Sequence, residues 1–339
     1  MEQGDAPAVT PQRLMQLGWS YAPALIVESA VANGIFDALA EAPRSIAETA
    51  AATGASARGL RAIMDALVGL ELLAKSGADR YALTPESAAF LVASSPAYLG
   101  GFFRHLSRQL VPNWLQLTEV VRTGRPAAAV NDEQVGGAFF AEFVEALYPI
   151  NRPFAAALAA HLAATAPAAP GRALDLAAGS GIWGIALAEA MPGLAVAAQD
   201  WPAVLDTTRR VVARQGLSDR FSFIGGDLLA VPFGTGYRFA TLGHILHSEG
   251  EARSRRLLRK VFEALAPGGT VAIAEFLVAP DRSGPLPGLM FAVNMLVHTE
   301  AGNAYAAAEI NGWLAEAGFV RARTLEFPGP VAVILADRP

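Results

Sequence analysis

From Pro170 onward the chain alternates short apolar runs with amphipathic stretches, and no other feature restricts its fold as strongly. The runs RALDLA (172–177), LAVAAQ (194–199), FSFI (221–224), RFATLG (238–243) and TVAIAEF (270–276) are separated by helical patterns near 182–191, 203–215 and 251–265. Strands that are apolar on both sides and alternate with helices bury themselves only as a parallel sheet with helices on its two faces. The closing stretch RTLEFPGPVAVILADR adds two strands around a turn at Gly329-Pro330. This half of the chain is therefore α/β, and at 339 residues the chain has room for a second region before it.

The first hundred residues read differently. Leu14, Leu17, Tyr21, Leu25, Ile26 and Ala30 follow helical spacing through the 12–40 stretch. Ser45 can cap a helix that Gly54 ends, and Ser56 can cap a second running to Leu72. Two short strands around Gly77-Ala78-Asp79 then complete a winged helix. Such an element invites a nucleic-acid reading, but residues 1–100 hold six basic and ten acidic side chains, a balance of −4. Arg58 and Arg61 alone could meet phosphates from the second helix, which is far short of the basic footprint a DNA reader needs. A packing or dimerisation module fits better, and no nucleic-acid partner is expected. Residues 101–165 are mostly helical around a loop, GRPAAAVNDEQVGG, and carry eight aromatics expected mainly in the core. Three regions follow: 1–100, 101–165 and 166–339.

Composition removes several chemistries. With no cysteine there is no disulfide, no thiolate metal site and no cysteine nucleophile. The net charge of −5 does not favour a polyanionic partner. The N-terminus lacks a charged-then-apolar leader, and no run of 18 apolar residues avoids Gly, Pro or charge, so a cytoplasmic protein without a membrane partner is expected.

Gly179-Ser180-Gly181-Ile182-Trp183-Gly184 is a G-x-G-x-x-G at a strand-to-helix turn, with Asp200 about 20 residues on. Alone, this pair suits a nicotinamide dinucleotide. Asp175, four residues before the first glycine, would repel a pyrophosphate and attract a cation. A third acid, Asp227 in GGDLL, ends the loop after the third strand, where an adenine amino group could be read. Three acids at three successive strand ends fit S-adenosylmethionine, which is cationic and carries no phosphate.

At this point the chain resembles a family. LDLAAGSGIWGIALAEAMPG, AAQDWPAVL, FIGGDLLA, HILHSEGE, EALAPGGTVAIAEF and NGWLAEAGF look like successive motifs of the S-adenosylmethionine-dependent small-molecule O-methyltransferases, from about Gln12 to the end. The resemblance implies a Rossmann-like sheet of seven strands, an N-terminal winged-helix dimerisation domain and a homodimer. It carries cofactor roles to Asp175, Gly179, Gly181, Asp200, Trp201, Asp227, Leu228 and Gly243, and the role of general base to His247, flanked by Glu275. It also shows departures. The Asp-Trp that follows the base in the family is Ser248-Glu249 here, and the second flanking acid is missing from Ala301-Gly302-Asn303-Ala304-Tyr305-Ala306.

Of five histidines, His244, His247 and His298 fall at positions that face the acceptor in the family. His244, Glu275 and His298 are therefore expected to ligate a divalent or trivalent transition metal, beside a pocket that includes Phe291 and Met295. A Lewis acid on the keto oxygen and carboxylate of an α-keto acid would stabilise its enolate. The favoured expectation is then metal-assisted β-C-methylation of an α-keto acid in peptide-antibiotic supply. The alternative is metal-free O-methylation of a phenolic or polyketide acceptor by His247.

Overall fold

A computed structural model describes residues 9–77, 79–131, 133–165, 171–327 and 331–339, apart from the side chains of Ala138, Ala141 and Glu142. Ala78 of the expected wing turn and Gly329-Pro330 of the expected C-terminal turn lie outside the described residues. The chain divides into two units, residues 1–108 and 109–339.

The first unit contains helices α1 (Gln12–Trp19), α2 (Ala22–Ala32), α3 (Ile35–Ala38), α4 (Ile46–Thr53), α5 (Ala57–Gly69), α6 (Pro85–Phe90) and α7 (Gly100–His105). Its small sheet has β1 (Arg44–Ser45), β2 (Leu73–Lys75) and β3 (Arg80–Leu83) in the order β1-β3-β2. The expected winged helix is present, with Ser45 in a capping box with Glu48 and Ser56 capping α5 through Gly59 N–H. The second helix ends at Gly69 rather than Leu72 because the Leu72–Leu73 stretch is drawn into the wing. Leu60, Met64 and Leu67 share one face of α5 and are sealed against Ile35, Phe36, Leu73 and Tyr81. Truncating any one of them to Ala would cost about 2–5 kcal/mol. Helix α1 buries no residue, and Leu14, Met15, Leu17 and Trp19 are all exposed.

A π-helical turn, Leu106–Leu110, spans the division, and the second unit then has α8 (Val111–Trp114), α9 (Leu117–Thr123), α10 (Glu133–Ala146) and α11 (Tyr148–Thr165). The division between the two units falls at Arg108–Gln109, inside the 101–165 segment. The 124–137 loop is shorter than expected because α10 starts at Glu133. Phe102, Phe103, Trp114, Phe139, Phe140, Phe143, Tyr148 and Phe154 are half-buried rather than sealed, and of them Phe103, Tyr148 and Phe154 pack against the cores.

The remainder is strand and helix in alternation: β4 (Arg172–Leu176), α12 (Ile182–Ala190), β5 (Ala195–Asp200), α13 (Pro202–Arg214), β6 (Phe221–Gly225), β7 (Tyr237–Gly243), α14 (Leu246–Ala264), β8 (Leu265–Glu275), α15 (Leu286–His298), α16 (Ala307–Glu316), β9 (Val320–Glu326) and β10 (Ala332–Asp337). The seven strands run β6-β5-β4-β7-β8-β10-β9, with β10 antiparallel to both neighbours and β4 to β8 mutually parallel. One core of Leu174, Leu242, Leu257, Ile273 and Ile334 fills one side of the sheet, and one of Leu158, Ala173, Trp183, Phe239 and Val333 fills the other. Chain order reverses between β5 and β7 on either side of β4, which places a ligand crevice at the carboxyl ends of these strands. No helix among the described residues is long and apolar enough to cross a membrane.

Candidate active site

The carboxyl end of β4 carries Asp175, fully sealed, whose oxygens accept from Thr241 Oγ1 at 2.7 Å and from Gly184 N–H at 2.9 Å. Burial, with a smaller push from Asp200, moves this carboxyl up to about 7, against those two hydrogen bonds. A Cβ on Gly184 would sit 2.9 Å from the same carboxylate, so only glycine lets α12 approach this closely. Gly181 caps α12 with φ of +78°, a left-handed conformation that costs a side-chain-bearing residue, and Gly179 (φ +56°) lies beside Val144 of α10. At the end of β5, Asp200 accepts from Gly179 N–H at 2.8 Å and from Trp201 N–H at 2.7 Å, and burial moves it up to about 6. Trp201 caps α13, and its ring faces Phe140 of α10 at 6.2 Å.

Among the described residues neither Asp175 nor Asp200 has a cationic partner. One sealed and one half-buried carboxylate lacking counter-charge, beside a glycine turn, fit a ligand that is cationic and offers hydroxyl donors. Asp227 is placed otherwise. One of its oxygens takes Leu229 N–H at 2.8 Å, and the other takes Arg253 Nη2 at 2.7 Å. Burial opposes its ionisation, but Arg253 and the backbone donors hold it below the ordinary carboxylate range. Leu228 turns its side chain into the core, and its carbonyl accepts from Lys260 Nζ at 2.6 Å. Gly243, at the end of β7, faces the indole of Trp183, and a Cβ there would fall 1.9 Å from Nε1.

Beyond β7 the chain turns at His244, a non-glycine residue with φ of +61°. It then starts α14 with His247. Glu275, sealed at the end of β8, takes His247 Nδ1 at 2.8 Å on Oε2 and His247 backbone N–H at 3.2 Å on Oε1. Burial alone would raise Glu275, yet the charge and hydrogen bonds of His247, with His244 behind, hold it below the ordinary range. An ionised Oε2 requires the hydrogen on Nδ1, which leaves the lone pair of His247 on Nε2. The ring is edge-on to Phe291 at 4.7 Å. Asn303 N–H donates to His247 carbonyl at 2.8 Å, and a Cβ on Gly302 would lie 2.5 Å from that oxygen. The segment lacking the second acid therefore supports the backbone of the base rather than its ring.

His244 is half-buried with its Nδ1 sealed and without a hydrogen-bond partner among the described residues. Burial, opposed by Glu275, drives it down to about 4, so it is neutral at neutral pH. Its ring lies 5.1 Å from Phe276 and 6.2 Å from that of His247. One ligating atom from each of His244, His247 and Glu275 falls within 4.8 Å of the others. The expected trio of His244, Glu275 and His298 is not what assembles. His298 stands outside the group, at the end of α15, with Nδ1 on the carbonyl of Asn294 at 2.9 Å. That contact turns the ring along its own helix. Its Nε2 is sealed and has no partner among the described residues, and burial lowers its pKa. Phe291 is in place against the base, while Met295, one turn on, is buried.

Three participants escaped sequence reading. Glu249, sealed two residues after the base, pairs with Arg253 Nε at 2.6 Å, and Gly250 (φ +73°, ψ 164°) breaks α14 between them. Gly250, three residues after the base, is a readable signal in the sequence. The pairing of Arg253 was not, because its two partners lie 4 and 26 residues away.

A family model described as an O-methyltransferase domain matches residues 156–320, and one described as an O-methyltransferase dimerisation domain matches residues 19–93. The 3-hydroxy-5-methyl-1-naphthoate 3-O-methyltransferase of Streptomyces sahachiroi is 33% identical over 90% of this chain and 88% of its own length. The tetracenomycin polyketide synthesis 8-O-methyl transferase TcmO of Streptomyces glaucescens is 30% identical over 97% of each chain. A crystal structure of a putative O-methyltransferase from Nostoc punctiforme superposes with a TM-score of 0.87 at 28% identity, covering 97% of this chain and 99% of the other.

Proposed function

The chain belongs to the S-adenosylmethionine-dependent O-methyltransferases, and from that premise we propose that it methylates a phenolic hydroxyl of an aromatic polyketide-type acceptor, with His247 as general base. The observation that carries this reading is the two-point hold of Glu275 on His247. It places one tautomer, leaves Nε2 as the proton acceptor, and supplies the counter-charge once the ring becomes imidazolium. A phenol ionises near pH 10, about three to four units above imidazole, so the base must take the proton as the oxygen attacks rather than beforehand. Phe291 keeps water from the ring face and offers an apolar wall to an aromatic acceptor.

S-adenosylmethionine, when bound, contributes a methyl group made electrophilic by its positive sulfur. Asp200 would take its ribose hydroxyls, and Gly179 and Gly181 would admit it close to the backbone. Asp175 acts one step back, tying β4, β7 and the start of α12 together. Support for the acceptor class comes from the names of the two Streptomyces relatives, whose acceptors are a hydroxynaphthoate and a tetracenomycin intermediate. The dimerisation domain supports a homodimer.

A second reading, β-C-methylation of an α-keto acid with a metal's help, keeps one specific support. His244, His247 and Glu275 converge, and the sealed Nδ1 of His244 lacks a partner. These residues would hold the ion, which would act as a Lewis acid on the acceptor carbonyl. A single experiment separates the readings. The purified protein is assayed on hydroxynaphthoates and on branched α-keto acids, before and after dialysis against a chelator, with metal content measured throughout. Methyl ether formation that survives chelation is expected. Methyl transfer to carbon, with β-hydrogen exchange lost on chelation, would replace the first reading with the second.

A further inference from the structure

We infer that Arg253 is a positioning residue that couples occupation of the methyl-donor site to the placement of the His247 imidazole. The inference rests on the methyltransferase reading and goes beyond it. One guanidinium reaches two carboxylates on two elements: Nε to Glu249 at 2.6 Å and Nη2 to Asp227 at 2.7 Å. Asp227 begins the 227–231 loop after β6, at the donor side of the crevice, where its other oxygen is already held by Leu229 N–H. Glu249 belongs to the short segment Leu246–Glu249 that carries the base.

Gly250 separates that segment from the rest of α14, so a regular helical ladder does not tie the base to the long helix. Two side-chain links span the break: Ser254 Oγ to Leu246 carbonyl at 3.2 Å, and the Glu249–Arg253 pair. The pair is the shorter and charge-assisted link, 2.6 Å against 3.2 Å for the hydroxyl contact. Lys260 fixes the same donor-side loop from the same helix, through the carbonyls of Leu228 and Val231. A donor that settles against Asp227 therefore acts on Arg253, and through Glu249 on the strip of chain bearing His247. Lysine cannot replace this, since a point charge cannot reproduce the fork that meets two carboxylates at once.

The test compares wild type, Arg253→Gln and Arg253→Lys by amide hydrogen exchange with and without S-adenosylhomocysteine, alongside steady-state kinetics. In the wild type, S-adenosylhomocysteine should slow exchange both at the glycine turn, 179–184, and at 246–250. Both variants should keep the first protection and lose the second, with KM for the donor up about fivefold and kcat down about tenfold. Arg253→Lys, which retains one ion pair, should be the more stable of the two, so a folding defect in Arg253→Gln leaves the measurement intact. Arg256→Gln, which removes an exposed cation from the same helix, should leave both protections and both constants unchanged. Undiminished protection at 246–250 in the Arg253 variants, or unchanged kcat, would overturn the coupling. Failure of the wild type to bind S-adenosylhomocysteine would instead overturn the donor reading, and the coupling with it.

Discussion

The donor end and the base end of the crevice each seal a carboxylate, Asp175 and Glu275, with Asp200 half-buried beside the first, yet the two ends push them in opposite directions. Asp175 and Asp200 meet only neutral donors, so burial prevails and they rise to about 7 and about 6. Glu275 is as deeply buried, but an imidazole faces each of its needs, and it is held below the ordinary range. Depth is the same; the partner's charge decides. The base end is complete in itself, a carboxylate with its own cation-in-waiting. At the donor end Asp175 and Asp200 bring negative charge with no cation against either among the described residues, which suits a cationic ligand.

The largest effect should come from removing the self-contained partner that does the chemistry. His247→Ala should lower kcat by about 10²–10⁴-fold while the dissociation constant for S-adenosylhomocysteine stays within a factor of two, because the donor's contacts lie on other strand ends. Equal loss in both would mean that the two ends are not separable. Glu275→Gln is next. The amide can still accept from Nδ1, but the imidazolium loses its counter-charge, a loss of about 1.5–3 kcal/mol or roughly 10–100-fold in kcat. A variant with wild-type kcat would remove Glu275 from the catalytic pair and leave its carboxylate free for another role.

The same contrast explains what could be read in advance. The donor end is nearly contiguous: a glycine turn, an acid before it and an acid about 20 residues on, each where a short strand stops. The glycine motif and its spacing to the acids therefore single out Asp175, Gly179, Gly181 and Asp200, and strand–helix alternation gives the parallel sheet that presents them. The base end is assembled from β7, β8, α14, α15 and the 301–303 turn, so its members are named by resemblance and its contacts emerge only on folding. His298 illustrates the limit. Its spacing from Phe291 places both on one helix face, but the local carbonyl of Asn294 captures its Nδ1. Short-range backbone competition of that kind leaves no trace in a motif. The ion pair of Asp227 is hidden in the same way, since its partner Arg253 lies on an amphipathic helix where a surface arginine is unremarkable.

At the donor end a smaller change is expected, and one that depends on pH. Asp200→Ala should weaken S-adenosylhomocysteine binding by about 1–3 kcal/mol through lost charge-assisted hydrogen bonds. In the wild type the ligand competes with a proton for Asp200. With the free carboxyl near 6, the ionised fraction at pH 5 is about one in eleven, so binding should be about tenfold weaker at pH 5 than at pH 8. Calorimetry across that range should show proton release on binding below pH 6. A dissociation constant independent of pH would mean that Asp200 does not contact the ligand.

The smallest effect concerns Asp175, which the protein already satisfies. Its folded pKa of about 7 lies above the unfolded value near 3.9, so folding takes up a proton there between those limits. The sign follows directly. Above pH 7 the buried charge is a cost, and the cost fades as pH falls through 7 towards 4, so this group makes the protein more stable in mild acid. Asn at 175 can keep both contacts: its Oδ1 can accept from Gly184 N–H, and its Nδ2 can donate to Thr241 Oγ1. Asp175→Asn should therefore raise the melting temperature by a few degrees at pH 8 and by nothing at pH 5. Methyl transfer should change little, because the carboxylate ties strands together and does not face the reacting atoms. Destabilisation at pH 8 would show that something in the folded protein compensates the charge of Asp175. The contrast between a donor end that waits for its cation and a base end that carries its own would then fail at its most deeply buried member.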